Sequence, residues 1–230
     1  IGAGTMGAGI AQVAAQSGHT VLLYDAAPGA ASKGIENISA GLDNIVKRGK
    51  IDRNTKEAIV GRIQPVSDIN ALAPAALVIE AIIEDEKIKQ ELFATLESIC
   101  DENTILASNT SSISITLLAS KLKRPENFLG MHFFNPAPIM KLVEIVSGLA
   151  TSKDVAESVF LTAEAWGKKT VHVKSTPGFI VNRVARPFYA EALRVLQEQA
   201  ADVATIDAVV RESGGFRMGP FELMDLIGHD

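Results

Sequence analysis

Residues 130–146 read GMHFFNPAPIMKLVEIV, an apolar, proline-punctuated run with one histidine, His132, and one acidic residue, Glu144. A buried charge without a partner is costly, so each of these residues asks for the other. If 128–134 and 141–146 pair as a hairpin around NPAPIM, symmetry about Pro138 sets Phe134 opposite Leu142 and His132 opposite Glu144. Facing residues of an antiparallel pair share one face, with Cβ atoms about 5 Å apart. A carboxylate on one ring nitrogen fixes the tautomer and stabilises the imidazolium, leaving the other nitrogen for proton transfer. The expected chemistry is general acid–base catalysis. The rival reading, a satisfied core histidine, is the ordinary one for a lone His. A glutamate at the matching position weighs against it.

These two strands need a frame. Residues 20–24, TVLLY, read as a fully buried strand ending at Asp25, and ALVIEAI (76–82) as another continuous apolar strand. TILAS (104–108) and TVHV (170–173) add two more. Between them, Met6 to Ser17 is a small-residue helix stopped by Gly18, and Ile35, Ile38, Leu42, Ile45 and Val46 mark one face of a second. A helix over 85–99 carries Ile88, Leu92, Leu96 and Ile99 as its apolar stripe. Alternating strands and helices predict an α/β fold of the Rossmann type: a mostly parallel sheet with helices on both faces. After STPGF (175–179) the pattern turns helical, over roughly 179–199, 202–212 and from Pro220. The expected domains are 1–174, binding a nucleotide, and 175–230, the start of a truncated all-helical domain.

Gly2, Gly4 and Gly7 spell G-x-G-x-x-G at the point where a strand should run into the first helix, with Thr5 and Met6 between the last two. The first glycine permits the turn and the second lets a pyrophosphate approach the backbone. The third allows close helix–strand packing, and the phosphates lie at the helix N-terminus. Asp25 ends the next strand eighteen residues after Gly7. A carboxylate there binds an adenosine ribose and repels a 2′-phosphate, so the cofactor reads as NAD. The strand feeding this turn is expected to be missing, and the chain reads as a piece cut at both ends.

Ligands of open parallel sheets bind beyond the carboxyl ends of strands, which singles out two further segments. Asn109-Thr110-Ser111-Ser112 follows TILAS, and Ser112 has the plain reading of a helix cap. Glu84-Asp85-Glu86 follows ALVIEAI, where acidic residues also suit the start of the next helix. His19, His172 and His229 have no partner placed by the sequence. Without HxH, HExxH or a cysteine pair, no metal site is expected.

Composition narrows the class. A 47% hydrophobic chain of 230 residues can bury a sizeable core. A net charge of −5 suggests no nucleic-acid groove and no polybasic membrane patch. Pro74 and Glu80 break the longest apolar run, so no membrane span is expected. Cys100 is the only cysteine, which fits a reducing, cytoplasmic setting.

Four segments, GAGTMGAGIAQVAAQSGHTVLLYD, ASNTSSISIT, GMHFFNPAPIMKLVEIV and TPGFIVNRVARPFYAEALR, together resemble the NAD-dependent L-3-hydroxyacyl-CoA dehydrogenases, and GPFELMDLIGHD is similar to that family's helical domain. Within the family the likeness points to bacterial 3-hydroxybutyryl- and 3-hydroxyadipyl-CoA dehydrogenases, the latter from phenylacetate degradation. The resemblance implies oxidation of a 3-hydroxyacyl-CoA, with His132 as base and Glu144 as its partner. It implies that Ser111 touches substrate and nicotinamide, that Asn182 lies near the reacting oxygen, and that Glu84, Lys89 and Asn135 lie on the NAD side. It further implies a homodimer of the full-length chain, built through the helical domain. The segment after Asp25 looks shorter than in the animal enzymes, so coenzyme A contacts there do not carry over. Lys47, Arg48 and Lys50 could meet CoA phosphates, but a solvated helix end is the plainer reading. Arg183 and Arg186 are candidates for a charged acyl end.

Two other functions stay open at this level. A nucleotide-binding sensor or structural protein could keep the fold without turnover, and a related dehydrogenase could act on free hydroxy acids.

Overall fold

The computed structural model describes residues 1–228. Ile1–Phe179 form one compact unit, and a second begins at Ile180. The first contains α1 (Thr5–Gln16), β1 (Val21–Tyr24), α2 (Ala30–Lys47), α3 (Arg53–Gly61) and β2 (Ile63–Val66). It continues with β3 (Leu77–Glu80), α4 (Glu86–Ile99), β4 (Ile105–Ser108) and α5 (Ile115–Ala119). β5 (Phe128–Phe133), β6 (Leu142–Ser147), α6 (Lys153–Ala165) and β7 (Lys169–Lys174) complete it. The second unit holds α7 (Val181–Gln197), α8 (Val203–Glu212) and α9 (Pro220–Ile227). Phe179 goes with the first unit: it is buried in the same apolar cluster as the sheet residues Phe128 and Val173.

The strands make two sheets: β1 pairs with β2, and β3-β4-β5-β6-β7 run in sequence order. Every pairing is parallel except β5 with β6. Two-residue alternation gives the larger sheet two buried faces. Val78, Leu106, Phe128 and Val146 meet Phe93 and Leu96 of α4 and Ile115 and Leu118 of α5. Ala107, Leu129, Met131, Val143 and Ile145 meet Ile10 of α1 and Val159 and Ala163 of α6. The edge-on pair Phe93–Phe128, with centroids 4.6 Å apart, centres the first face. Truncating either ring to Ala there costs about 3–5 kcal/mol.

Several expectations need correction. β2 and α3 were not read from the sequence; Pro65 within β2 removes a ladder donor, and β2 lies at the edge of its pair, where Pro is tolerated. β1 is not fully buried: Leu23 is, while Val21, Leu22 and Tyr24 are half-buried. Ile1 and Gly2 bridge the two sheets at one end. The Ile1 amine donates to Ile79 O (2.7 Å), Ala81 N–H to Ile1 O (2.8 Å) and Gly2 N–H to Tyr24 O (2.9 Å). In α4 the buried residues are Lys89, Gln90, Phe93 and Leu96; Leu92 and Ile99 of the expected stripe also pack on the core, and only Ile88, 42% exposed, does not.

Among the described residues, no helix is long and apolar enough to cross a membrane.

Candidate active site

β5 and β6 pair with His132 opposite Glu144, the register expected from symmetry about Pro138. His132 Nδ1 and Glu144 Oε2 lie 2.7 Å apart, with the residues 5% and 0% exposed. With Nδ1 committed to the carboxylate, proton exchange with a ligand falls to Nε2. The rings of Phe134 and Phe179 flank the imidazole at 4.6 and 5.5 Å. Phe179 sits in the left-handed region (φ 48°), a strained conformation for a bulky residue.

The hairpin loop is braced from below. Lys168 donates from Nζ to Ala137 O (2.6 Å) and Met140 O (3.0 Å), and burial pushes its ammonium below the usual lysine range. Ala137 and Pro138 also pack so closely on Gly9 of α1 that a Cβ there would crowd both. Exposed Asn135 precedes a cis peptide bond to Pro136 and leads into this braced loop.

The loop after β4 ties in beside the dyad. Asn109 Oδ1 accepts the Phe133 N–H at 2.8 Å, next in sequence to His132. Glu84 gathers the following residues: its Oε1 accepts the Thr110 hydroxyl, the Ser111 and Ser112 amides (3.0 and 3.1 Å) and the Ser112 hydroxyl (2.9 Å). Burial pushes the Glu84 carboxyl up, but these hydrogen bonds and the Lys89 charge outweigh it and hold it below the usual range. Ser112 is not the helix cap: Ser114 is, accepting from Leu117 N–H. Asp85 caps α4 by accepting from Ile88 N–H at 2.9 Å, with Glu86 in the first turn, as the plain reading of those acids has it. The Lys89 ammonium is withdrawn from solvent between Glu80 (2.5 Å) and Glu84 (3.2 Å).

The glycine turn fits a dinucleotide. A Cβ on Gly7 would collide with Gly2 O, so only glycine lets α1 approach the turn. A Cβ on Gly2, at φ 89°, would likewise collide with Ala81 O. A Cβ on Gly4 would meet nothing within 4 Å, and Gly4 caps α1 without a side chain. That leaves room at a positive helix end beside Thr5 and Met6. Asp25 is oriented by accepting Ala3 N–H on Oδ2 (2.7 Å) and Ala27 N–H on Oδ1 (2.9 Å), each oxygen keeping a second lone pair for a ribose hydroxyl.

The remaining candidates scatter. Asn182 stands in the first turn of α7, in the helical unit, with Arg183 and Arg186 exposed on the same helix. Lys47, Arg48 and Lys50 lie exposed at the C-terminal end of α2. His172 does have a partner, Glu157 at 3.3 Å, and stacks on Phe160, but the pair is solvent-exposed and weak. His19 meets Trp166 edge-on, and His229 lies outside the described residues. Among the described residues no three His, Cys, Asp or Glu side chains form a metal cluster.

Known proteins resemble this chain. Residues 1–176 match the family described as 3-hydroxyacyl-CoA dehydrogenase, NAD binding domain, and residues 178–230 its C-terminal domain. The whole chain is 56% identical to a 3-hydroxyadipyl-CoA dehydrogenase of Escherichia coli, covering 48% of that protein. It is 42% identical, again along its full length, to a 3-hydroxybutyryl-CoA dehydrogenase of Clostridioides difficile, covering 82% of it. A crystal structure of an Escherichia coli 3-hydroxybutyryl-CoA dehydrogenase superposes with a TM-score of 0.97 at 56% identity, covering 99% of this chain and 48% of that one. The chain thus spans about half the length of the Escherichia coli relatives it matches. A glycine turn, an aspartate oriented by backbone amides at the end of β1 and a histidine clamped by glutamate therefore occur together in a chain matched by both domains in order: it belongs to the 3-hydroxyacyl-CoA dehydrogenase family, and its first unit is that family's NAD-binding domain.

Proposed function

We propose that the protein containing this chain interconverts (S)-3-hydroxyacyl-CoA and 3-oxoacyl-CoA: 3-hydroxyacyl-CoA + NAD⁺ ⇌ 3-oxoacyl-CoA + NADH + H⁺. The observation that carries this reading is the buried His132–Glu144 pair at 2.7 Å. Bound NAD⁺ supplies the hydride acceptor; the rest is the work of the chain's side chains. His132 Nε2 takes the 3-hydroxyl proton in oxidation and returns it in reduction, while Glu144 stabilises the imidazolium and fixes the ring. Ser111 and Asn182 hold the substrate oxygen, where a preorganised donor is worth about 3 kcal/mol. Gly2, Gly4, Thr5, Met6 and Gly7 take the pyrophosphate and Asp25 the ribose. Glu84 and Asn135 line the nicotinamide side, and Lys89, buried, supports it from behind through Glu84.

The substrate is a 3-hydroxybutyryl- or 3-hydroxyadipyl-CoA, the names its relatives carry. A substrate of that kind belongs to fatty-acid or phenylacetate breakdown. A cytoplasmic homodimer completes the reading: the lone Cys100 fits a reducing compartment, and the resemblance implies a dimer built through the helical domain.

The test is NADH oxidation by the intact native polypeptide with acetoacetyl-CoA, 3-oxoadipyl-CoA and free acetoacetate. Turnover of a CoA ester well above that of free acetoacetate supports the reading. NADH binding with no turnover of any of them marks a sensor, and turnover of free acetoacetate alone marks a hydroxy-acid dehydrogenase.

A further inference from the structure

Glu80 is the last residue of β3 and is 0% exposed in an otherwise apolar strand. A carboxylate there needs several partners, and it has them. Its Oε2 accepts the hydroxyl of Ser108, its register neighbour on β4, at 2.7 Å. Its Oε1 accepts Ile82 N–H (2.7 Å) and the Lys89 ammonium (2.5 Å). Lys89, 1% exposed, reaches on to Glu84 Oε2 at 3.2 Å, and Glu84 Oε1 collects the donors of Thr110, Ser111 and Ser112. The circuit closes on itself, because Thr110 N–H donates back to Ser108 Oγ at 3.2 Å.

Two carboxylates and one ammonium thus grip the segment 108–112 at both ends: Glu80 at Ser108, and Glu84 two to four residues later. The side chain of Thr110 is buried by this grip and that of Ser111 is exposed. Replacing a buried ion group by apolar residues is often neutral or stabilising, so core stability alone does not account for the charges. Holding one conformation of a loop does.

We propose that Glu80 is a positioning residue for Ser111, fixing it through Lys89 and Glu84 so that its hydroxyl meets the reacting oxygen and nicotinamide in one geometry. This rests on the role given to Ser111 above. Glu80 itself touches no substrate, and its effect passes through the loop.

The test is a double-mutant cycle in the intact native polypeptide, with Glu80→Gln, Ser111→Ala and the pair. Glutamine keeps the shape and the Ile82 hydrogen bond but removes the charge that holds Lys89. Glu80→Gln should lower kcat by about tenfold with KM for acetoacetyl-CoA little changed, and add less than about twofold in the Ser111→Ala background. Amide exchange at Ser111 and Ser112 should rise at least about tenfold, while the β5 amides stay protected as in the wild type. Losses that multiply in the double variant, or exchange at Ser111 and Ser112 unchanged by Glu80→Gln, would overturn the proposal. If Glu80→Gln does not fold, Ser108→Ala, which removes the hydroxyl joining Glu80 to the segment, is read by the same two measurements. A wild type without turnover defeats the functional reading instead, and the exchange measurement alone then decides whether Glu80 holds the loop.

Discussion

The Asn109 side-chain carbonyl accepts the backbone N–H of Phe133 at 2.8 Å, joining the loop after β4 to the strand that carries His132. One short polar contact thus sets the loop of Ser111 against the dyad. Asn109→Ala leaves that amide unpaired in a nearly dry setting, which costs about 1–3 kcal/mol of stability. Chemical denaturation should show this loss, with a fall in kcat beyond what the lost folded fraction explains. Asn109→Asp, which keeps the acceptor, should recover most of the stability.

Asp25 sets the choice of dinucleotide. Both its oxygens are aligned by backbone amides, and a 2′-phosphate would meet its charge directly. Asp25→Asn removes the repulsion while keeping an acceptor. NADH affinity should fall by about tenfold or less and the preference over NADPH should narrow by a larger factor. An unchanged preference would show that the ribose lies elsewhere.

Glu84 carries a pH signature. Its carboxyl is held below the usual range in the folded chain, so between the folded and unfolded pKa values the unfolded chain binds more protons and stability rises with pH. The contribution is fully present above the unfolded value and is lost as pH falls through the folded one. Glu84→Gln should flatten the acid side of a stability-versus-pH curve below about pH 5 and leave the neutral side unchanged in slope. It should also raise amide exchange at Ser111 and Ser112.

The hairpin register was legible because one histidine and one glutamate in an apolar run leave few arrangements that satisfy both, and the His132–Glu144 pairing followed from loop symmetry alone. The glycine turn was legible for a similar reason: a Cβ on Gly7 has nowhere to go. Glu80 carried the signal that had exposed Glu144, a lone carboxylate in an apolar strand, yet its partner Lys89 sits on a helix nine residues on, a match no strand register reveals. Lys168 and Asn109 bond backbone groups, and any residue type could have supplied those, so composition gave no hint. β2 was hidden by Pro65, which cannot donate to a strand ladder.

The central claim is that the His132 imidazole, held by Glu144, moves the substrate's proton. The most direct measurement is single-turnover NADH oxidation with acetoacetyl-CoA by the intact polypeptide carrying His132→Gln, with NADH affinity measured alongside. The rate should fall by about 10²–10⁴-fold while NADH affinity stays within about twofold of the wild type. A rate equal to the wild type's would contradict the account, however well the cofactor binds.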